Sequence, residues 1–115
     1  MPAKNNEDNI QLLQMHADVC KAIAHPTRLA ILGKLRDAEL TVTAMADILG
    51  IPKGNLAQHL TLLRQRQVVA TRREGVNVYY RVVDPKIVQA CDLMRSVLLN
   101  QLKTSEKLSK KYASG

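Results

Sequence analysis

Apolar residues recur along the first third of the chain at the spacing of α-helices. Between residues 8 and 24 they fall at every third or fourth position, which predicts a first helix over that range. His25 ends this helix because a residue that precedes proline is disfavoured in the α region, and Pro26 suits the first turn of a second helix. In the second helix the apolar residues lie nearly all round, which predicts burial at the centre of the domain. These residues are Leu29, Ile31, Leu32 and Leu35.

Two short amphipathic helices follow and are joined by a turn that contains glycine. The apolar side of the first is formed by Met45, Ala46, Ile48 and Leu49. We expect Thr43 to be its N-cap and Gly50 to end it. The second helix runs from about 53 to 66 and buries Leu56, Leu60 and Leu63. This arrangement predicts a helix–turn–helix over about residues 43–66.

The pattern changes to a period of two after residue 67. Apolar and polar residues alternate on both sides of Glu74-Gly75, which predicts a β-hairpin. A hairpin directly after a helix–turn–helix is a wing, here over about residues 68–83. Asp84 is then the expected N-cap of a last amphipathic helix that continues to about Tyr112.

These elements predict a mainly α fold with a small β-hairpin, in the order α-α-α-α-β-β-α, that is, a winged helix–turn–helix. Residues 1–7 are expected to form a flexible N-terminus, and residues 8–112 a DNA-binding and dimerisation domain. Little of the chain remains to cover the long terminal helices. We therefore expect a homodimer that forms through the first and last helices.

The composition adds a strong charge asymmetry to this picture. The chain has no Trp or Phe and a net charge of +7. Residues 48–83 contain six basic residues and one acid, which leaves +5 of that charge beside the helix–turn–helix. Such a surface favours double-stranded DNA as the partner. The sequence has no long apolar run and no apolar signal segment, so we expect a cytoplasmic protein without membrane association.

Three phrases together resemble the ArsR/SmtB family of prokaryotic repressors: KAIAHPTRLAILGKL, TVTAMADILGIPKGNLAQHLTLLRQRQVV and RREGVNVYYRVVDP. The match covers about residues 8–105. The resemblance implies a homodimer that binds a palindromic operator and releases it when a metal, metalloid or oxidant is sensed. Two positions depart from the family. Gln67 stands where glycine is usual, so a residue with a side chain must take that bend. Ala57 stands where serine is frequent, which removes one expected phosphate contact.

The second helix of the helix–turn–helix presents a polar face opposite its leucines. Asn and Gln can bond adenine, Thr can contact a thymine methyl group, and Arg can reach phosphate. The predicted DNA contacts on this helix and the wing are Lys53, Asn55, Gln58, His59, Thr61, Arg64, Arg72, Arg73 and Asn77. For His59 the alternative is a surface histidine without a special role, and His25 is expected to serve helix entry.

The two metal sites common in the resembled family are missing from this sequence. Glu39-Leu40-Thr41-Val42-Thr43 replaces a Glu-Leu-Cys-Val-Cys phrase, and the last helix contains no histidine. Cys20 and Cys91 remain, and they could sense an oxidant by forming a disulfide or polysulfide bridge. Alternatively, His16 joins both cysteines in a site for Zn²⁺ or a metalloid. The third interpretation is that both cysteines are core residues. DNA binding itself requires no cofactor.

The function that these patterns favour is a sequence-specific DNA-binding transcriptional repressor. A winged-helix module that binds another protein and has no inducer is the alternative. We do not expect an enzyme, because no Ser–His–Asp arrangement, phosphate loop or carboxylate pair is discernible.

Overall fold

A computed structural model describes residues 6–105 and 111–112 of the chain. In this range the elements are α1 (Asn6–Ile23), α2 (Pro26–Lys34), α3 (Val42–Leu49), α4 (Lys53–Gln65), β1 (Val69–Glu74), β2 (Asn77–Val82) and α5 (Pro85–Thr104). The predicted order of elements is confirmed. The chain forms two compact units, of which Met1–Asp84 contains α1 to β2 and Pro85–Gly115 contains α5. None of the described helices is both long enough and apolar enough to cross a bilayer.

The core of the first unit is aliphatic and is built around α2 and α4. Its largest fully buried side chains are Ile31, Leu32, Met45, Leu56, Leu60, Leu63, Val68 and Val69. Burying one such side chain contributes roughly 1.5–3 kcal/mol. The prediction that α2 is buried all round is wrong for Leu29, which is 40% exposed. Ile48 of α3 is likewise 52% exposed. Both helices pack along one side only, so an apolar residue on the other side stays in contact with solvent.

Side chains cap the N-termini of α2 and α3. His25 is the N-cap of α2, and its Nδ1 accepts a hydrogen bond of 3.0 Å from the Thr27 N–H. Thr41 is the N-cap of α3, and its hydroxyl accepts from the Ala44 N–H at 3.1 Å. The prediction of Thr43 as N-cap is therefore wrong. Thr41 has the extended backbone that an N-cap needs, whereas Thr43 already lies inside the first helical turn.

The C-terminus of α4 closes with a Schellman motif. The Val68 N–H donates to the Leu63 carbonyl and the Gln67 N–H to the Arg64 carbonyl, both at 2.9 Å. Gln67 occupies the left-handed position of this motif with φ +59°. The expectation that a residue with a side chain takes this bend is confirmed. The motif turns the chain so that Val68 enters the core directly after the helix.

The wing is an antiparallel hairpin with a two-residue loop. Glu74 pairs with Asn77, and Gly75 takes the first loop position with φ +63°, as glycine does in type II′ turns. At the base of the wing, Leu40 and Tyr80 exchange two backbone hydrogen bonds of 3.1 and 2.8 Å. This bridge joins β2 to the segment that precedes α3.

The terminal helices differ from the predicted bounds. α1 begins at Asn6, so the expected flexible segment 1–7 falls mostly on residues 1–5, which lie outside the described residues. α5 ends at Thr104, where the predicted helix continued to Tyr112. There the Ser105 N–H bonds to the Leu102 carbonyl, three residues back, which tightens the last turn. Residues 106–110 lie outside the described range.

Candidate nucleic-acid interface

The helix α4 has one buried side and one exposed side. Leu56, Leu60 and Leu63 are 0% exposed and fix the helix against the core, which confirms their predicted role. The opposite side carries exposed polar and aliphatic side chains, namely Asn55, Gln58, Thr61, Leu62 and Gln65. Lys53 is exposed in the first turn. The side chains able to bond base edges thus lie together on a surface that the core holds in place.

The N-terminus of α4 is also suited to phosphate. In the described part of the chain no side chain caps this end, and its first turn contains no acid. The first N–H groups of a helix and its dipole favour an anion there. Farther along, the Thr61 hydroxyl donates its hydrogen to the Ala57 carbonyl at 2.9 Å. The Thr61 side chain can therefore contact a partner through its methyl group or accept a hydrogen bond at its oxygen.

His59 does not share the exposed side of α4. It lies three residues after Leu56 and four before Leu63, and this helical spacing places it beside the buried leucines. Its ring contacts the His25 ring with centroids 4.6 Å apart. Burial, His25 and Arg28 lower the pKa of His59 below its ordinary value, in that order of importance. The spacing with the leucines was visible in the sequence and favours this position.

The arginines at the end of α4 have different surroundings. Arg64 lines a shallow groove of about 390 Å³ between α4 and the base of the wing, together with Gln67 and Thr71. Arg66 forms an ion pair with Asp18 of α1 at 3.8 Å. Arg64 is therefore the better placed of the two to reach a phosphate beside the helix.

Of the two neighbouring arginines of the wing, Arg72 is held by carboxylates of the protein itself. Arg72 donates from Nε to Glu39 at 2.7 Å and from Nη1 to Glu74 at 2.6 Å, and it lies 4.6 Å above the Tyr79 ring. The bonds to Glu74 and then to Glu39 raise the pKa of Arg72. Arg72 thus fastens the wing to the segment before α3, which the sequence did not indicate. Its charge is already matched by two carboxylates.

Arg73 points to the other face of the hairpin, where it pairs in register with Val78. It is exposed, and none of the described ion pairs includes it. Asn77 is exposed beside the loop, and Val76 at the tip is 93% exposed. The wing therefore offers Arg73 and Asn77 to a partner more readily than Arg72.

The candidate sensing residues lie on the terminal helices α1 and α5. Cys20 on α1 is exposed, Cys91 on α5 is partly buried, and both are thiols. His16 is exposed on α1, one helical turn before Cys20. Among the described residues, no group of three or more His, Cys, Asp or Glu side chains is arranged to hold a metal ion.

Comparisons with known proteins find similarity to helix–turn–helix transcriptional regulators. A family model described as a helix–turn–helix domain matches residues 23–72. The transcriptional repressor PagR of Bacillus anthracis is 33% identical over 86 residues, which are 74% of this chain and 86% of PagR. The regulator KmtR of Mycobacterium tuberculosis is 35% identical over 72 residues, which are 63% of this chain but only 55% of KmtR. The chain therefore spans about half the length of that relative.

Among solved structures, a homodimeric winged helix–turn–helix DNA-binding domain from Mycobacterium bovis, Mb0332, is similar with a TM-score of 0.76. It is described as a possible ArsR-family regulator. The two proteins are 31% identical, and the match covers 84% of this chain and 89% of that one.

Proposed function

Because the chain belongs to the ArsR/SmtB family of winged helix–turn–helix transcriptional regulators, we propose that it is a homodimeric repressor that reads a palindromic operator through α4 and leaves it when Cys20 and Cys91 are oxidised. The family binds DNA and is not a family of enzymes.

The observation that carries the proposal is the two-sided character of α4. A helix that reads base edges must hold its outward side chains in fixed positions, and the fully buried Leu56, Leu60 and Leu63 provide that anchor. The outward side then presents Asn55 and Gln58 to the major groove, with Lys53 and Arg73 available for phosphate.

Uncovered apolar stripes on both terminal helices support a homodimer. On α1 the exposed stripe consists of Ile10, Leu13, Ala17 and Cys20, at successive spacings of three and four residues. On α5 the side chains of Met94, Val97 and Leu98 are exposed. Contiguous exposed apolar surface marks an interaction site. We propose that a second copy of the chain covers both stripes. To read a palindromic operator, the two α4 helices of this dimer must lie about one turn of DNA apart.

Release of DNA is proposed to follow from the position of Cys20 within the α1 stripe. A peroxide would take two electrons and two protons from the Cys20 and Cys91 thiols, leaving one disulfide and either two waters, from hydrogen peroxide, or one water and one alcohol, from an organic hydroperoxide. A covalent bond at the dimer interface would change the spacing of the α4 helices, which must match the operator. Binding of Zn²⁺ or arsenite by His16, Cys20 and Cys91 is the other outcome that the experiment distinguishes.

Fluorescence anisotropy with the DNA upstream of the gene, and with a scrambled duplex of equal length, tests the proposal. At physiological salt we expect a preference for the operator of roughly 10³-fold or more. Equal affinity for both duplexes would contradict a sequence-specific repressor. Peroxide should weaken operator binding, a thiol reductant should restore it, and Cys20→Ser and Cys91→Ser should each abolish the response. A response to Zn²⁺ or arsenite but not to peroxide would favour the metal site.

A further inference from the structure

Three basic side chains meet between α2 and α4 without an acid among them. His25 stands at the N-terminus of α2, Arg28 follows one turn later, and His59 of α4 packs on His25. The first turn of α2 also lacks an acidic residue. Within the described residues no hydrogen-bond partner is present for two buried atoms of this cluster, Arg28 Nε and His59 Nδ1.

The His59 ring is placed so that protonation would break its arrangement with α2. His25 Nδ1 accepts the Thr27 N–H, and this hydrogen bond fixes the ring on which His59 packs. The neutral His59 ring can leave Nδ1 as a bare acceptor. Protonation would turn this buried nitrogen into a donor with no acceptor and would add a charge beside Arg28. A proton added to His59 therefore opposes the contact between the two helices.

We propose that His59 is a positioning residue that holds α4 against α2 through its contact with the His25 ring only while its own ring is neutral, so that acidification loosens the DNA-reading helix. This inference rests on the proposed function because its main readout is operator binding. It assigns His59 to the orientation of α4 and leaves base contact to the exposed side chains Asn55, Gln58 and Thr61.

The sign of the pH dependence follows from the surroundings of His59. Burial lowers the pKa of His59 most, and the neighbouring His25 and Arg28, both from the α2 side, lower it further. From α1, Asp18 pairs with Arg66 at the far end of α4. The acid of α3, Asp47, is exposed, and that of β1, Glu74, is bonded to Arg72.

A lowered pKa means that the loosened state takes up the proton more readily than the packed state. The neutral His59 ring therefore stabilises the packing of α4 on α2 in full at a pH above its ordinary pKa of 6.5. This stabilisation is lost as the pH falls below that value. For each proton taken up, the equilibrium constant between the packed and the loosened state of α4 falls by at most about tenfold per pH unit.

The test measures the ratio of operator affinity to scrambled-duplex affinity from pH 7.5 to 5.5 at constant salt. Added positive charge strengthens binding to any duplex, so the ratio isolates the loss of specific reading. For the wild type we expect the ratio to fall as the pH drops below 6.5. For the double variant His25→Asn/His59→Gln we expect a flat ratio, because Asn also caps helices and neither amide titrates in this range. The double variant keeps His16, the third histidine of the chain, so its pH response shows what remains when both His25 and His59 are replaced.

Hydrogen exchange without DNA separates failure of this inference from failure of the proposed function. Amides of α4 in the wild type, corrected for intrinsic exchange rates, should lose protection at pH 5.5 relative to pH 7.5, and the double variant should not. Should the double variant prove unfolded at pH 7.5, each single variant is measured in the same way and should show a smaller pH response than the wild type. A wild-type ratio that is constant with pH, or variants that respond as steeply as the wild type, would overturn the proposal. Absence of operator preference at pH 7.5 would instead contradict the proposed function alone.

Discussion

Replacing Gln67 by glycine should stabilise the protein. Gln67 has φ +59° at the end of α4, where a Schellman motif requires a left-handed residue. Its side chain is exposed, so little packing is lost with it. The change removes a Cβ from a conformation in which it is crowded by its own backbone.

Two opposing terms set the magnitude of this effect. The left-handed conformation costs a residue with a Cβ roughly 1–2 kcal/mol, and glycine adopts it almost freely. Glycine also makes the unfolded chain more flexible, which offsets about 0.4–1 kcal/mol of the gain. We therefore expect Gln67→Gly to raise the free energy of unfolding by about 0.5–1 kcal/mol. For a domain of this size that corresponds to a rise in Tm of about 2–6 °C.

Thermal and urea unfolding at one fixed protein concentration measure the change, since the stability of a dimer depends on concentration. The matched control is Gln65→Gly, the same replacement two residues earlier. Gln65 is the last residue of α4 and still has a helical backbone, so glycine should lower stability there by at most about 0.5–1 kcal/mol. Opposite signs for the two variants are expected. If Gln67→Gly destabilises the protein as much as Gln65→Gly does, the assignment of strain to position 67 is refuted.

Three further predictions concern the core, a helix cap and the wing. Leu60→Ala should lower the free energy of unfolding by about 2–5 kcal/mol in urea titrations. Leu62→Ala, on the exposed side of α4, should change it by less than about 0.5 kcal/mol. Equal losses would refute the assignment of Leu60 to the buried side and Leu62 to the exposed side of α4. Thr41→Ala should cost about 1 kcal/mol in the same assay because the Ala44 N–H loses its acceptor, and an unchanged stability would contradict the cap. Arg73→Ala should reduce the slope of log affinity for DNA against log salt by about two for the homodimer, that is, about one for each protomer, and Arg72→Ala by less, since two carboxylates already engage Arg72. A larger effect at Arg72 would reverse the proposed roles of the two arginines.

The parts of the structure that local spacing decides were predictable from the sequence. Leu56, Leu60 and Leu63 recur at helical spacing, so their side of α4 and its burial follow from a pattern within one helix. The positive φ at Gln67 was expected because the resembled family usually has glycine there, and the structure adds the Schellman bonds that require it. The hairpin was expected from the alternation around Glu74-Gly75, but the two-residue loop that fixes its register lies one residue later, at Gly75-Val76.

The interactions that were not predicted join residues far apart in the chain. Arg72 was expected to face DNA, but its partner Glu39 lies 33 residues earlier, and no local pattern connects them. The contact between His25 and His59 likewise depends on how α2 packs against α4. Thr41 is the N-cap because it directly precedes the first turn of α3. Thr43 is the same residue type two positions later, and the sequence does not locate the start of a helix to within two residues.

The central claim is that the outward side of α4 reads base pairs, and a comparison of base preferences tests it most directly. Relative affinities of the wild type and Gln58→Ala are measured over a set of operators in which each base pair is changed in turn, with Lys34→Ala, an exposed lysine at the end of α2, as the control. We predict that Gln58→Ala loses about 1–3 kcal/mol of discrimination at one symmetric pair of positions and keeps the rest, while Lys34→Ala keeps all of it. Unchanged discrimination at every position in Gln58→Ala would contradict the claim.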